Sequence, residues 1–280
     1  MRAMMNLDDK LRIDPELVHT VLKHFLRDEI RKVGFEKAVI GVSGGVDSAV
    51  ACTLVAHAIG AHNVLALRLP YKTSSPDSLE HAQRVIDALG VPSETIDITP
   101  MVDPLFEHLP VMDDIRKGNV MARQRMIVWY DRSAAIRGLV VGTSNKTELL
   151  LGYGTLFGDM AAAVNPIGDL YKTQVRQLAK HLGVPQPIID KPPSADLWAG
   201  QTDEGEMGLT YAEVDRLLTL LVDERYTPAE AIEAGFEAKF VERVWRMVRV
   251  NHFKRRGPII AKLSSRTIGV DFNYLRDWGY

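Results

Sequence analysis

The stretch Ala38-Val39-Ile40-Gly41-Val42-Ser43-Gly44-Gly45-Val46-Asp47-Ser48 decides the fold. Val39, Ile40 and Val42 favour an extended strand. Gly44 and Gly45 permit a tight turn with no Cβ in the way. Ala49-Val50-Ala51-Cys52-Thr53-Leu54-Val55 then continues as a buried, small-faced helix. A strand, a glycine turn and a helix start aim free N–H groups and the positive helix end at one point, which suits an anion. The hydroxyls of Ser43 and Ser48 add donors, and Asp47 adds a carboxylate able to hold a metal. A generic strand-to-helix turn needs none of these three side chains. The loop reads as a phosphate site, and it is not the Walker A loop, which requires Gly-Lys-Ser/Thr after a longer glycine span.

The rest of the chain supplies an ordinary globular setting for this loop. Its 280 residues fit one large α/β domain or one domain with an appendage. Hydrophobic content of 46% and charged content of 25% are enough for a substantial core. A net charge of −2 gives no reason to expect a nucleic acid or an anionic membrane as partner. The single cysteine, Cys52, excludes a disulfide or a cysteine-based zinc site within one chain and fits a reducing cytoplasm. Residues 1–10 lack an apolar core of the secretory type. No apolar run approaches the roughly 20 residues that a membrane span needs.

Working outward, Asp14-Pro15-Glu16 reads as a helix start, and apolar residues from Leu17 to Ile30 fall at helical spacing. Strands are expected at Ala38–Val42, Asn63–Leu69, Glu94–Ile98 and Leu139–Gly142. A helix from Pro76 to Leu89 lies between the second and third strands, and a long one from Asp114 to Ile136 precedes the fourth. Pro100–Asp113 reads as irregular. This alternation predicts an α/β fold, a Rossmann-like open parallel sheet flanked by helices. Thr143–Glu148 forms a second polar strand-end loop. It faces the same crevice as Ser43–Ser48 if strands one and four are neighbours. Leu151–Asp159 is glycine-rich loop, a helix ends at Leu182, and a long irregular span has the length of a lid. Helices follow at Thr210–Asp223, from Thr227-Pro228, and at Ala238–Phe253. The expected organisation is one domain over 1–280: N-terminal helix 14–33, nucleotide-binding core about 36–190, lid-like loop about 192–208 and C-terminal helices about 209–280.

The phosphate loop resembles that of the N-type ATP pyrophosphatases, which cleave ATP between the α and β phosphates and adenylate a substrate. Further motifs narrow the resemblance. Gly118-Asn119-Val120-Met121-Ala122-Arg123-Gln124-Arg125-Met126, Gly142–Glu148, Gly152–Met160, Asn165-Pro166-Ile167, Lys191–Leu197, Gly200–Glu204 and Phe253-Lys254-Arg255 resemble, in order, the motifs of the NAD synthetases. The likeness covers nearly the whole chain. It implies an adenine nucleotide alpha hydrolase-like core with extra C-terminal helices. It implies a ligase that makes NAD from deamido-NAD, ATP and ammonia, with Mg²⁺. The nicotinate carboxylate attacks the α phosphorus, pyrophosphate leaves, and ammonia displaces AMP from the NAD-adenylate.

By the same resemblance Gly41, Val42, Ser43, Gly44, Gly45, Val46, Asp47, Ser48, Thr143, Lys172 and Ser194 contact ATP. Asp47 and Glu148 hold Mg²⁺, and Asp47 and Lys172 are the catalytic pair. Arg123, Asp159 and Lys254 are the deamido-NAD candidates. Ser194 stands where threonine is frequent. Leu156 and Ala163 stand where many ammonia-dependent members carry a lysine and an aspartate, and Phe253 replaces a common histidine. One subgroup shares this Thr-Leu-aromatic-Gly-Asp-Met form. The resemblance also implies a homodimer with the dinucleotide site near the interface. A glutaminase would need its own nucleophile, and Cys52 lies in the helix behind the phosphate loop. Free ammonia, or ammonia from a separate glutaminase, is therefore expected. Two other readings stay open: a GMP synthetase-like enzyme of the same fold, and a non-catalytic ATP-binding sensor.

Overall fold

The computed structural model describes residues 6–109, 112–194, 205 and 208–272. A short helix, α1 (Leu7–Lys10), leads to α2 (Pro15–Lys32), and Asp14 caps α2 by accepting from the N–H groups of Glu16 and Leu17. Strand β1 (Lys37–Gly41) is followed by α3 (Val46–Ile59), β2 (Val64–Arg68), α4 (Pro76–Leu89) and β3 (Ser93–Thr95). Then come α5 (Thr99–His108), α6 (Asp114–Ile136), β4 (Gly138–Val141) and α7 (Lys146–Leu151). After the glycine-rich segment lie α8 (Lys172–His181) and α9 (Gln186–Asp190). The C-terminal part holds α10 (Tyr211–Leu218), α11 (Pro228–Glu233) and α12 (Ala238–Val250), with a 3₁₀ turn at His252–Arg255.

The four strands are parallel, in the order β3-β2-β1-β4. Side chains alternate across the sheet, as a two-residue period requires. Ala38 and Ile40 of β1, with Val64 and Ala66 of β2, enter the core shared with α2, α3, α4 and α8. Val39, Leu65 and Leu67 enter the opposite core, beneath Val102 of α5 and Met121 and Val128 of α6. Both faces of a parallel sheet must be covered, so its strands are continuously apolar rather than alternating. A third core joins α7, Leu11 and Tyr171 to α10, α11 and α12.

β1 has β2 on one side and β4 on the other. The chain therefore winds outward in both directions from β1, and the crevice opens between the carboxyl ends of β1 and β4. With β1 and β4 paired, the condition set from the sequence is met and the two polar strand-end loops are brought face to face there.

Five expected boundaries are corrected. The third strand, expected at Glu94–Ile98, is β3 at Ser93–Thr95, and Ile98 already stands at the cap of α5. Pro100–Asp113 is not irregular over its length, because α5 occupies Thr99–His108. Pro100 lies in the first turn, where a missing N–H costs nothing, and burial of Val102 offsets the lost bond at Pro104. Thr143–Glu148 is loop only to Asn145, where a capping box starts α7. The helix expected over Thr210–Asp223 is α-helical to Leu218 and then widens into a π turn over Thr219–Asp223. The helix expected to reach Phe253 ends at Val250. Most of the expected lid, 192–208, lies outside the described residues. None of the described helices is long and apolar enough to cross a membrane.

Candidate active site

The phosphate loop is built by β1 and α3. Val42 N–H still bonds Leu67 O of β2 at 2.9 Å, after which the chain turns. Gly44 takes φ +80°, and a Cβ there would lie 2.2 Å from the Ser78 carbonyl oxygen. Only glycine fits so close an approach in that backbone region. Ser48 Oγ accepts from Ser43 N–H at 3.2 Å and donates to Gly45 O at 3.0 Å, holding the loop from inside. Gly45 caps α3 with no side chain, so the first N–H groups of the helix face the crevice rather than a capping oxygen. Cys52 lies behind the loop, fully buried, and burial pushes its thiol up to about 12. That thiol is not a nucleophile at neutral pH.

Three charged side chains from three places in the chain meet at the mouth of this loop. Lys172, the first residue of α8, is 3% exposed. Its Nζ contacts Asp47 Oδ2 and lies 3.4 Å from Glu148 Oε1. The Tyr211 ring lies 5.1 Å below it. Asn145, at the cap of α7, donates from its side chain to Asp47 Oδ1 at 2.9 Å. Lys172 N–H donates to Thr147 Oγ1 at 3.0 Å. Thr147 in turn donates to the buried carboxylate of Asp215 at 2.6 Å, which also accepts Thr173 N–H at 2.8 Å. Asp215 thus joins the starts of α7 and α8 from its place on α10. Burial raises its pKa, with the two threonines and Lys172 opposing.

A cavity of about 430 Å³ opens from the loop. Gly41, Ser43, Asp47, Thr143, Glu148, Lys172 and Ser194 line it, together with Asp159 and Lys254. The sequence candidates are therefore gathered in one place, with two exceptions. Gly44 backs onto Ser78 and shapes the loop without lining the cavity. Arg123 is exposed outside the lining, and its Nε donates to Leu156 O at 3.3 Å. Lys254 Nζ donates to Gly152 O and Gly154 O at 2.7 and 2.9 Å, so it also ties down the glycine-rich segment. Asp159 accepts Thr155 N–H at 2.9 Å. Burial drives its carboxyl up, and burial drives Lys254 down.

Asp47 and Glu148 form an all-oxygen pair, the donor type that Mg²⁺ takes beside phosphate and water. Among the described residues no three His, Cys, Asp or Glu side chains converge as a self-sufficient metal centre. Two protein carboxylates that line the cavity beside the phosphate loop fit a cation that arrives with a nucleotide.

Several polar residues at the site were not singled out from sequence. Asn145 had a signal in its Asn-x-x-Glu spacing to Glu148, a capping box. Asp215 had one as well: it sits in the apolar stripe of α10 beside Val214, four residues after Tyr211. Lys191, whose Nζ donates to Ser78 Oγ at 2.8 Å, was visible only as part of a motif.

The parallel sheet, the switch-point crevice and a phosphate loop without a Walker lysine define a nucleotide-binding α/β protein. Comparison with known proteins gives the family. The NAD synthase family model matches residues 18–258. An NH(3)-dependent NAD(+) synthetase of Trichlorobacter lovleyi is 58% identical over 270 residues, covering 96% of this chain and 99% of that protein. The solved NMN synthetase of Francisella tularensis superposes with a TM-score of 0.80 at 35% identity, covering 90% of this chain and all of the other. The NH3-dependent NAD synthetase of Campylobacter jejuni, solved with a nitrate ion, gives 0.77 at 31% identity with 90% and 100% coverage. The chain belongs to the NAD synthase family, a family of ATP-using ligases.

Proposed function

We propose that this chain forms NAD from deamido-NAD, ATP and ammonia, releasing AMP and pyrophosphate. The observation that carries the reading is the convergence of Asp47, Glu148 and Lys172 on the phosphate loop. The nicotinate carboxylate oxygen attacks the α phosphorus, and the bond to the bridging oxygen of pyrophosphate breaks. The Ser43–Ser48 loop offers N–H and hydroxyl donors to the departing pyrophosphate, and Lys172 supplies a buried positive charge beside it. Mg²⁺, held by Asp47 and Glu148, would neutralise further phosphate charge. Thr143 and Ser194 extend the hydroxyl lining for ATP, Asp159 and Lys254 line the cavity as candidates for the acid, and Arg123, bonded to Leu156 O outside that lining, is a candidate by resemblance alone. Ammonia then attacks the acyl carbon of the adenylate and AMP leaves with its electron pair.

Free ammonia, or ammonia from a separate glutaminase, is the nitrogen source that this reading assigns, in line with the Trichlorobacter relative, which is covered almost completely. A homodimer is supported by exposed apolar side chains on neighbouring helices, Met101 and Leu105 of α5 and Ile127 and Tyr130 of α6, near Arg123. A single domain that takes in the C-terminal helices is supported by Asp215 of α10, which bonds residues of both α7 and α8. A cytoplasmic location fits the lone, unpaired, buried cysteine. The likeness to an NMN synthetase favours a second reading in which the acid is nicotinate mononucleotide. The test measures pyrophosphate release and amide formation with each acid, with and without ammonia. NAD formation dependent on deamido-NAD and ammonia is expected. Turnover of the mononucleotide alone would establish the second reading, and turnover of neither acid would refute both.

A further inference from the structure

Asn145 does more than cap a helix. It is fully buried, and its polar atoms are committed to the two candidate metal carboxylates and to the start of α7. Its side-chain NH2 donates to Asp47 Oδ1 at 2.9 Å. Its Oδ1 accepts Glu148 N–H at 3.0 Å, and its own N–H donates to Glu148 Oε2 at 3.2 Å. The remaining oxygen of each carboxylate, Asp47 Oδ2 and Glu148 Oε1, is turned toward Lys172 Nζ. A helix cap requires only the two bonds to Glu148. The bond to Asp47 reaches a different loop, 98 positions away in sequence.

We infer that Asn145 is a positioning residue that ties one oxygen of each carboxylate and presents the other to a shared point. In this structure Lys172 Nζ faces those two oxygens; the inference rests on the reading that Mg²⁺ arriving with ATP competes with the ammonium for them. Asparagine suits the position. It combines a donor for Asp47 with an acceptor for Glu148 N–H on one planar amide. Serine and threonine keep the cap acceptor, but their hydroxyl is one bond shorter and leaves Asp47 untied. Aspartate would face Asp47 with a second carboxylate.

The test separates capping from positioning. Mn²⁺ binding to the full chain is followed by the loss of its free-ion electron paramagnetic resonance signal, with an ATP analogue carrying a methylene between the α and β phosphorus atoms. Wild type, Asp47→Asn, Asn145→Ser and Asn145→Thr are compared, and each is melted by calorimetry. Asn145→Ser and Asn145→Thr keep the cap but leave the bond to Asp47 unmade, so both are expected to fold with a modestly lowered melting temperature. Their Mn²⁺ affinity is expected to fall by roughly 10–100-fold, the usual cost of losing a residue that orients a metal ligand. Two variants guard against the failure of one to fold. If Asp47→Asn weakens Mn²⁺ binding while both Asn145 variants bind as wild type, the positioning role is overturned and the metal reading stands. If Asp47→Asn binds Mn²⁺ as wild type does, the metal reading falls and the inference falls with it.

Discussion

Replacing Lys172 with methionine tests the centre of the site, because it removes the charge and keeps most of the stem. In wild type the ammonium sits between Asp47 Oδ2 and Glu148 Oε1, 3% exposed, while the two carboxylates are 16% and 17% exposed. Removing one partner of a buried ion pair costs about 3–5 kcal/mol. Here the remaining carboxylates reach solvent in part and keep their bonds to Asn145, which screens some of the loss. A destabilisation of about 2–3 kcal/mol is expected, or roughly 4–12 °C in melting temperature for a chain of this size. Mg²⁺ should then restore stability without restoring activity. The ammonium competes with a cation for the same oxygens, so Mg²⁺ should raise the melting temperature of Lys172→Met more than that of wild type. Saturation at a hundred times the dissociation constant is worth about 2.7 kcal/mol, enough to restore most of the loss. NAD formation should stay down by roughly 10²–10³-fold even then, since a positive charge beside the leaving pyrophosphate is gone. Calorimetry with and without excess Mg²⁺, beside a pyrophosphate-release assay, measures both. An unchanged melting temperature, or activity within tenfold of wild type, would refute the placement of Lys172 as the shared counter-charge.

Further outcomes follow from other parts of the structure. Gly44→Ala puts a Cβ 2.2 Å from Ser78 O at φ +80°, so the loop must shift by about an ångström; ATP-dependent pyrophosphate release should fall at least tenfold in initial-rate assays. Asp215→Ala leaves Thr147 Oγ1–H and Thr173 N–H buried without their acceptor. At about 1–3 kcal/mol for each orphaned donor, denaturant melts should show a clear loss of stability, and activity should drop too because α7 and α8 carry Glu148 and Lys172. His19 and His57, on α2 and α3, lie with Nε2 and Nδ1 3.0 Å apart. Burial is the first cause that lowers both below the ordinary 6.5, with His57, His181 and Lys23 adding to the effect on His19 and Lys23 to that on His57. The unfolded chain then binds protons more readily than the folded one. Stability should therefore be full above pH 6.5 and fall as the pH drops through the folded values. Paired melts of His19→Gln and wild type between neutral and mildly acidic pH should show a flatter curve for the variant.

The parts of the site that were legible in sequence are those whose chemistry is local. Ser43–Ser48 announced its role because a strand, two glycines and a helix start are contiguous, and the backbone itself makes the anion site. The pairing of β1 with β4 entered the sequence reading only as a condition; the structure meets it and so places Glu148 opposite Asp47. Lys172 and Lys254 were reached only through a resemblance, since a lysine at a helix start or in a basic helix end is ordinary by itself. Arg123 shows the limit of that route: the motif carries the residue over, yet its guanidinium here bonds the Leu156 backbone outside the cavity lining. α5 was missed because its prolines are read locally as breakers, while the burial of Val102 that offsets them comes from α6 and the sheet.

The least legible parts are the buried polar residues that hold the charged ones. Asp215 interrupts an apolar stripe, and a carboxylate in such a position must have partners or be expelled. Sequence shows the interruption but not the partners, which lie 68 and 42 positions earlier at Thr147 and Thr173. Asn145 is similar: its spacing to Glu148 shows a cap, and nothing nearby shows Asp47. Each of these residues bonds backbone or side-chain groups in at least two elements. Apolar side chains tolerate small shifts, but a buried amide or carboxylate loses its bonds when a partner moves by an ångström. Polar ties of this kind therefore set the separation of α3, α7 and α8 more sharply than the apolar cores do. That separation is what brings Asp47, Glu148 and Lys172 within reach of one phosphate group, although none of the residues that fix it need touch a substrate.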